Sequence, residues 1–74
     1  MVAPDAAELL AARKLHAAEI AMYEAVTALS EVGSDEAIQH AKEMLGAAKM
    51  VRRWELALRR IAAKRAAKKE AHNV

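Results

Sequence analysis

The chain has no cysteine, which excludes both a disulfide framework and a thiolate metal site. Phenylalanine is absent, and Tyr23 and Trp54 are the only aromatics. One proline and two glycines leave little to interrupt a long helix. No apolar run reaches the ~18 residues that a membrane span needs. The opening residues Met1-Val2-Ala3-Pro4-Asp5 have neither a basic start nor a long apolar segment, which argues against a signal peptide. These absences point to a soluble, cytoplasmic protein with no membrane partner. Strand periodicity is missing as well. Ala, Glu, Lys, Arg and Leu dominate, and all of them favour helix.

Apolar residues make up 55% of the 74, yet 20 of them are alanine. Large apolar side chains are therefore scarce, and one copy cannot bury a generous core. The net charge of +2 hides an asymmetry. Residues 1–48 carry three cations against eight acids, and residues 49–74 carry nine cations against two. One half is acidic and the other basic.

The pattern predicts a single domain, 1–74, made of two helices. Asp5 with Glu8 three residues later reads as a capping box, so helix 1 should cover about 6–32. Gly33 suits the residue after a helix end, because positive φ costs it nothing. Ser34 then caps a second helix over about 35–70, with Asp35 and Glu36 where the helix dipole favours anions. So short a connection forces an antiparallel hairpin. Gly46, inside helix 2, reads as a close-packing site. In helix 1 the expected seam is Ala11, Leu15, Ala18, Met22, Ala25, Leu29 and Val32, with Ala12, Glu19, Tyr23 and Val26 beside it. In helix 2 it is Met44, Ala47, Val51, Trp54, Leu58 and Ile61, with Ile38, Ala41, Leu45 and Ala48 beside it. Both faces are wider than one partner helix covers, which predicts a homo-oligomer, a dimer of hairpins forming a four-helix bundle. Ile38, Ala41, Leu45, Ala48, Tyr23 and Val26 are the expected interface. Residues at one level of the hairpin should have numbers summing to about 67. Glu19 then faces Ala48, with no cation level with it.

Glu19-Ile-Ala-Met-Tyr23-Glu-Ala, followed by Gly33-Ser-Asp-Glu36 and Met50-Val-Arg-Arg-Trp54, resembles one helical hairpin of the YciF-like stress proteins of the ferritin-like superfamily. The resemblance spans about residues 9–62. It implies an all-α ferritin-like four-helix bundle whose core carboxylates and histidines hold two metal ions. With only one hairpin present, a second chain would complete the bundle. Glu19 and Tyr23 match the family pattern. Ala17-Ala18 stand where the family has Glu-His, and Ala47-Ala48 where it has a Glu-Glu pair. The resemblance thus implies a metal site dismantled to alanine.

Little else points to chemistry. Glu19 and His16, one turn apart, are the only metal-ligand candidates of note, and two chains would bring two of each. The plainer reading is a carboxylate hydrogen-bonded to Tyr23, His16 or water, and it predicts no metal and no other cofactor. His40, flanked by Glu36 and Glu43, reads as a surface helix contact. No nucleophile–base pair and no phosphate loop appears, so no enzymatic activity is expected. From Ala62 onward helix 2 becomes basic all round. Lys64, Arg65, Lys68 and Lys69 would suit phosphates, though no stacking aromatic accompanies them and a solubilising overhang, 62–74, is the simpler account. The sequence therefore predicts a non-enzymatic, self-associating helical module. A metal-binding protein and a nucleic-acid-binding hairpin are the alternatives.

Overall fold

In the computed structural model two helices, α1 (Pro4–Val32) and α2 (Asp35–His72), pack as an antiparallel hairpin. The structure describes the backbone of residues 4–72 and the side chains of residues 7–68. The expected cap Asp5, the cation of Lys69 and the side chain of His72 lie outside the described side chains. The hairpin is a rod 60 × 20 × 11 Å in extent. No helix of the described residues is long and apolar enough to cross a membrane.

The turn forms as its residues dictate. Gly33 adopts φ of 77°, the left-handed conformation that ends a helix without a Cβ clash. Ser34 caps α2: its Oγ accepts from the Ala37 amide at 3.1 Å, and its carbonyl accepts from the Ile38 amide at 2.9 Å. Asp35 and Glu36 occupy the first turn, where the positive end of the helix dipole favours them.

The core differs from the expected seam by one residue on each helix. Ala12 and Glu19 are buried on α1; Ala37, Ala41, Ala48, Glu55 and Ala62 are buried on α2. Leu15, Met22, Leu29, Met44, Val51 and Leu58 fill the spaces between them, half-buried. Ala18, Ala47 and Val32, expected inside, are exposed, as are Trp54 (53%) and Ile61 (41%). The reason is steric. The small Ala12, Ala41, Ala48 and Ala62 in the central rows let two backbones approach closely, and an indole between them would hold the helices apart. The large residues move to the flanks. Among the described residues no large side chain is fully buried.

Gly46 is not a packing site. It is exposed, and a Cβ built there meets nothing within 4 Å. Gly46→Ala is therefore expected to stabilise the protein by about 1 kcal/mol, the helix-propensity difference, readable as a raised chemical-denaturation midpoint with unchanged slope.

Pairing of the helices continues past Ile61. Ala62 is buried, Ala66 is half-buried, and the Arg65 guanidinium forms an ion pair with Glu8 near the start of α1. The other Glu8 oxygen is buried without a hydrogen bond. Positions 62–66 are thus part of the hairpin, not an overhang beyond it. Truncation after Ala63 strips Glu8 of its cation and should cost about 1–2 kcal/mol, seen as a lower melting temperature. An unchanged melting temperature would show that the Glu8–Arg65 pair adds nothing.

Candidate metal centre

The two buried carboxylates of the core belong to one cluster. Glu19 of α1 and Glu55 of α2 each replace an apolar residue in the central row, and His16 lies one turn before Glu19. One ligand atom from each of the three lies within 4.8 Å of the others. His16 Nδ1 is 3.4 Å from Glu55 Oε1 and 3.9 Å from Glu19 Oε2.

Side-chain direction brings them together. Every Cα–Cβ bond in a helix tilts toward that helix's own N-terminus. In an antiparallel pair, the side chains of the two helices therefore reach past each other. Glu19 reaches back toward the level of His16, and Glu55 reaches toward the turn. The pairs that meet, His16 with Glu55 and Glu8 with Arg65, lie about one to two turns beyond level positions on the backbone. Glu19 consequently meets Glu55 and His16, not Ala48.

Each carboxylate is held differently. Glu55 Oε2 accepts from Arg59 Nε at 2.9 Å, leaving Oε1 aimed at His16. The Arg59 hydrogen bond, with the nearby imidazole, holds the Glu55 carboxyl below its ordinary range against the opposing effect of desolvation. Glu55 is thus a charged, oriented oxygen donor. Glu19 is the contrast. Its side chain is only 8% exposed, and it takes part in none of the side-chain hydrogen bonds of the described residues, Tyr23 included. Its nearest cationic group is His16, beyond hydrogen-bonding distance at 3.9 Å. Its oxygens still reach solvent, unlike Glu8 Oε2, so they remain open to a cation placed among the three groups.

The donor set suits a first-row divalent ion. One imidazole nitrogen and two carboxylate oxygens fit Zn²⁺, Fe²⁺ or Mn²⁺, and lack the thiolates that copper(I) prefers. Ligands about 2.1 Å from a tetrahedral metal stand roughly 3.4 Å apart, the distance between His16 Nδ1 and Glu55 Oε1, whereas Glu19 Oε2, 3.9 Å from His16, would draw closer. His16 is 53% exposed, so one side of the cluster faces solvent. Three protein ligands and an open side leave a position for water or a small ligand, which a bound metal would polarise. Arg59 would serve as the outer partner that orients Glu55.

The other sequence-derived positions do not join this cluster. His40 stands 3.7 Å from Glu36 and 3.8 Å from Glu43, all three exposed on α2. Of the expected interface residues, Ala41 and Ala48 are buried against α1 and Val26 is half-buried. Tyr23, Ile38 and Leu45 are exposed. Lys64, Arg65 and Lys68 are exposed at the open end of the hairpin. Glu55 was missed by sequence reasoning. Its signal was there: Ala41, Ala48, Glu55 and Ala62 form a row at sevenfold spacing, with one carboxylate among alanines.

The chain matches no protein-family model, no curated protein and no solved structure. The resemblance to the YciF-like and ferritin-like proteins therefore has no support beyond the short stretches that suggested it. Its implied consequence is also overturned. The ligand set is not dismantled to alanine, because His16, Glu19 and Glu55 converge as an intact triad within a single hairpin. Counting alanines at four matched positions overlooked a carboxylate that lies at none of them.

Proposed function

We propose that this protein is a metal-binding helical hairpin, with one divalent transition ion held between α1 and α2 by His16, Glu19 and Glu55. One observation carries the reading. Two carboxylates and an imidazole from both helices converge within 4.8 Å, and the more buried carboxylate has no hydrogen-bond donor. Arg59 donates to Glu55, whereas none of the side-chain hydrogen bonds of the described residues reaches Glu19. Because the ligands come from both helices, bound metal would tie the hairpin together and contribute to its folding free energy.

The test is titration of chelator-treated protein with Co²⁺, followed by the visible absorption of the bound ion and by competition with Zn²⁺. One ion per chain is expected, with binding lost in His16→Ala and in Glu55→Gln. Retention of full affinity by both variants would place any bound metal elsewhere and end this reading.

A second reading concerns assembly. The protein would work as an oligomer of hairpins, a dimer forming a four-helix bundle. The hairpin leaves Trp54, Ile61, Ile20, Leu45, Ile38 and Val32 exposed while its buried apolar core is alanine alone. So much apolar surface on so small a chain supports a protein partner.

A further inference from the structure

The hairpin has more surface than its mass requires. A folded monomer of 8.1 kDa should expose about 4,500 Å², whereas this one exposes 5762 Å². Its radius of gyration is 17.2 Å, against about 11 Å for a compact chain of this length. The excess, about 1,300 Å², exceeds the ~800 Å² that each partner contributes to a standard interface. One more layer of the same kind would restore ordinary proportions.

The two flanks of the rod differ. Counting in sevens from the buried row puts Ala11, Ala18, Ala25 and Val32 of α1 on one flank with His40, Ala47, Trp54 and Ile61 of α2. His40 is the only ionisable group among these eight. Ala21, Ala28, Met50 and Ala57 border it, together with Lys14, Glu43 and Lys64 of the same rows, and a shallow hollow beside Trp54 is lined by Met50, Arg53, Leu56, Ala57 and Arg60. On the opposite flank stand His16, Arg52 and Arg59, and there the metal centre opens.

Along the first flank, size and charge both change from end to end. Toward the turn lie the small Ala21, Ala25 and Ala28; toward the open end lie the large Met50, Trp54 and Ile61. Between Ile20 and Ala48 five carboxylates accompany one lysine. The open end, residues 7–19 and 49–68, has ten cations and three carboxylates. A two-fold axis near Ala18 would lay the large residues of each copy on the alanines of the other. It would also set each acidic turn against a basic end.

We propose that a second copy of this chain docks on the Trp54 flank, antiparallel, with the two turns at opposite ends of the dimer and both metal centres facing outward. This rests on the assembly reading above and adds the face and the orientation. Sedimentation equilibrium of the full chain should give a dimer whose dissociation constant rises with salt. Trp54→Glu with Ile61→Glu should raise that constant by roughly 100-fold while helix content at high concentration persists. Leu45→Lys, in the row of Arg52 and Arg59 on the opposite flank, should leave it unchanged. Orientation is read by cross-linking, since the chain has no cysteine of its own. Ala18→Cys should be joined by a short bis-maleimide. Val32→Cys should not, because two Val32 positions would lie about 40 Å apart at ~1.5 Å rise per residue. A monomer at every concentration would overturn the assembly reading, and this proposal with it. A dimer that tolerates the Trp54 and Ile61 changes, or that cross-links through Val32→Cys, would overturn the face or the orientation alone.

Discussion

Zinc added at a hundredfold excess over its dissociation constant should raise the melting temperature of the metal-free protein by roughly 10–20 °C. The size follows from linkage. A ligand that binds only the folded state stabilises it by about 2.7 kcal/mol at that excess. In a domain this small each kcal/mol moves the midpoint by about 4–8 °C. The folded state alone brings His16, Glu19 and Glu55 together, because they come from two helices whose contact is lost on unfolding. EDTA should reverse the shift. His16→Ala should remove most of it while leaving the metal-free midpoint nearly unchanged, since His16 is half-exposed and packs little apolar surface. The shift should also shrink as the pH is lowered, because protons compete with metal for the imidazole and the carboxylates. A midpoint that ignores zinc, iron and manganese alike would show that the three groups do not act together as ligands.

Much of the fold was legible because it rests on local chemistry. Gly33 and Ser34 specify the turn through backbone conformation and one side-chain hydrogen bond, and neither depends on what packs above them. Helix boundaries followed from the same residues. The phase of the core was harder to read. Hydrophobicity favours Trp54 and Ile61 as core residues, and close approach of two backbones favours Ala48, Glu55 and Ala62. The second effect prevailed, because in a two-helix layer the central row is pinched between backbones while the flanks have room. A seam offset by one residue hid Glu55 on what looked like the outer face.

The site was half legible for a related reason. His16 and Glu19 share one helix, so their spacing alone shows them to be neighbours. Glu55 joins them only through tertiary register and through the tilt of side chains toward each helix start. Levelling the backbones placed Ala48 opposite Glu19, but it treated side chains as if they pointed straight across. Adding one turn of reach on each helix brings Glu55 into view. The Glu8–Arg65 pair obeys the same offset. Two independent contacts thus support one register.

Replacing Glu19 with methionine is expected to stabilise the metal-free protein and abolish its response to metal. Glu19 is buried in the central row between Ala12 and Val26, with no hydrogen-bond donor. Its side chain is 8% exposed and its oxygens are not sealed from solvent as Glu8 Oε2 is, so the partly desolvated carboxylate costs about 1 kcal/mol, not the full penalty of an orphaned charge. Methionine is similar in length, flexible enough to fill the same space, and free of that cost. Glu19→Met should therefore add about 1 kcal/mol of stability to the metal-free protein. It should also remove nearly all of the zinc-induced shift, since only His16 and Glu55 remain as ligands. Glu55→Met should behave differently in the metal-free state. That change leaves Arg59 without its acceptor and removes a carboxylate that is already hydrogen-bonded, so little stabilisation is expected. The comparison separates function from structure at this position. A carboxylate kept for binding should be a liability to the empty fold, in the way that functional groups commonly trade against stability. If Glu19→Met instead lowers the metal-free midpoint, Glu19 serves the fold itself and is not kept for a metal.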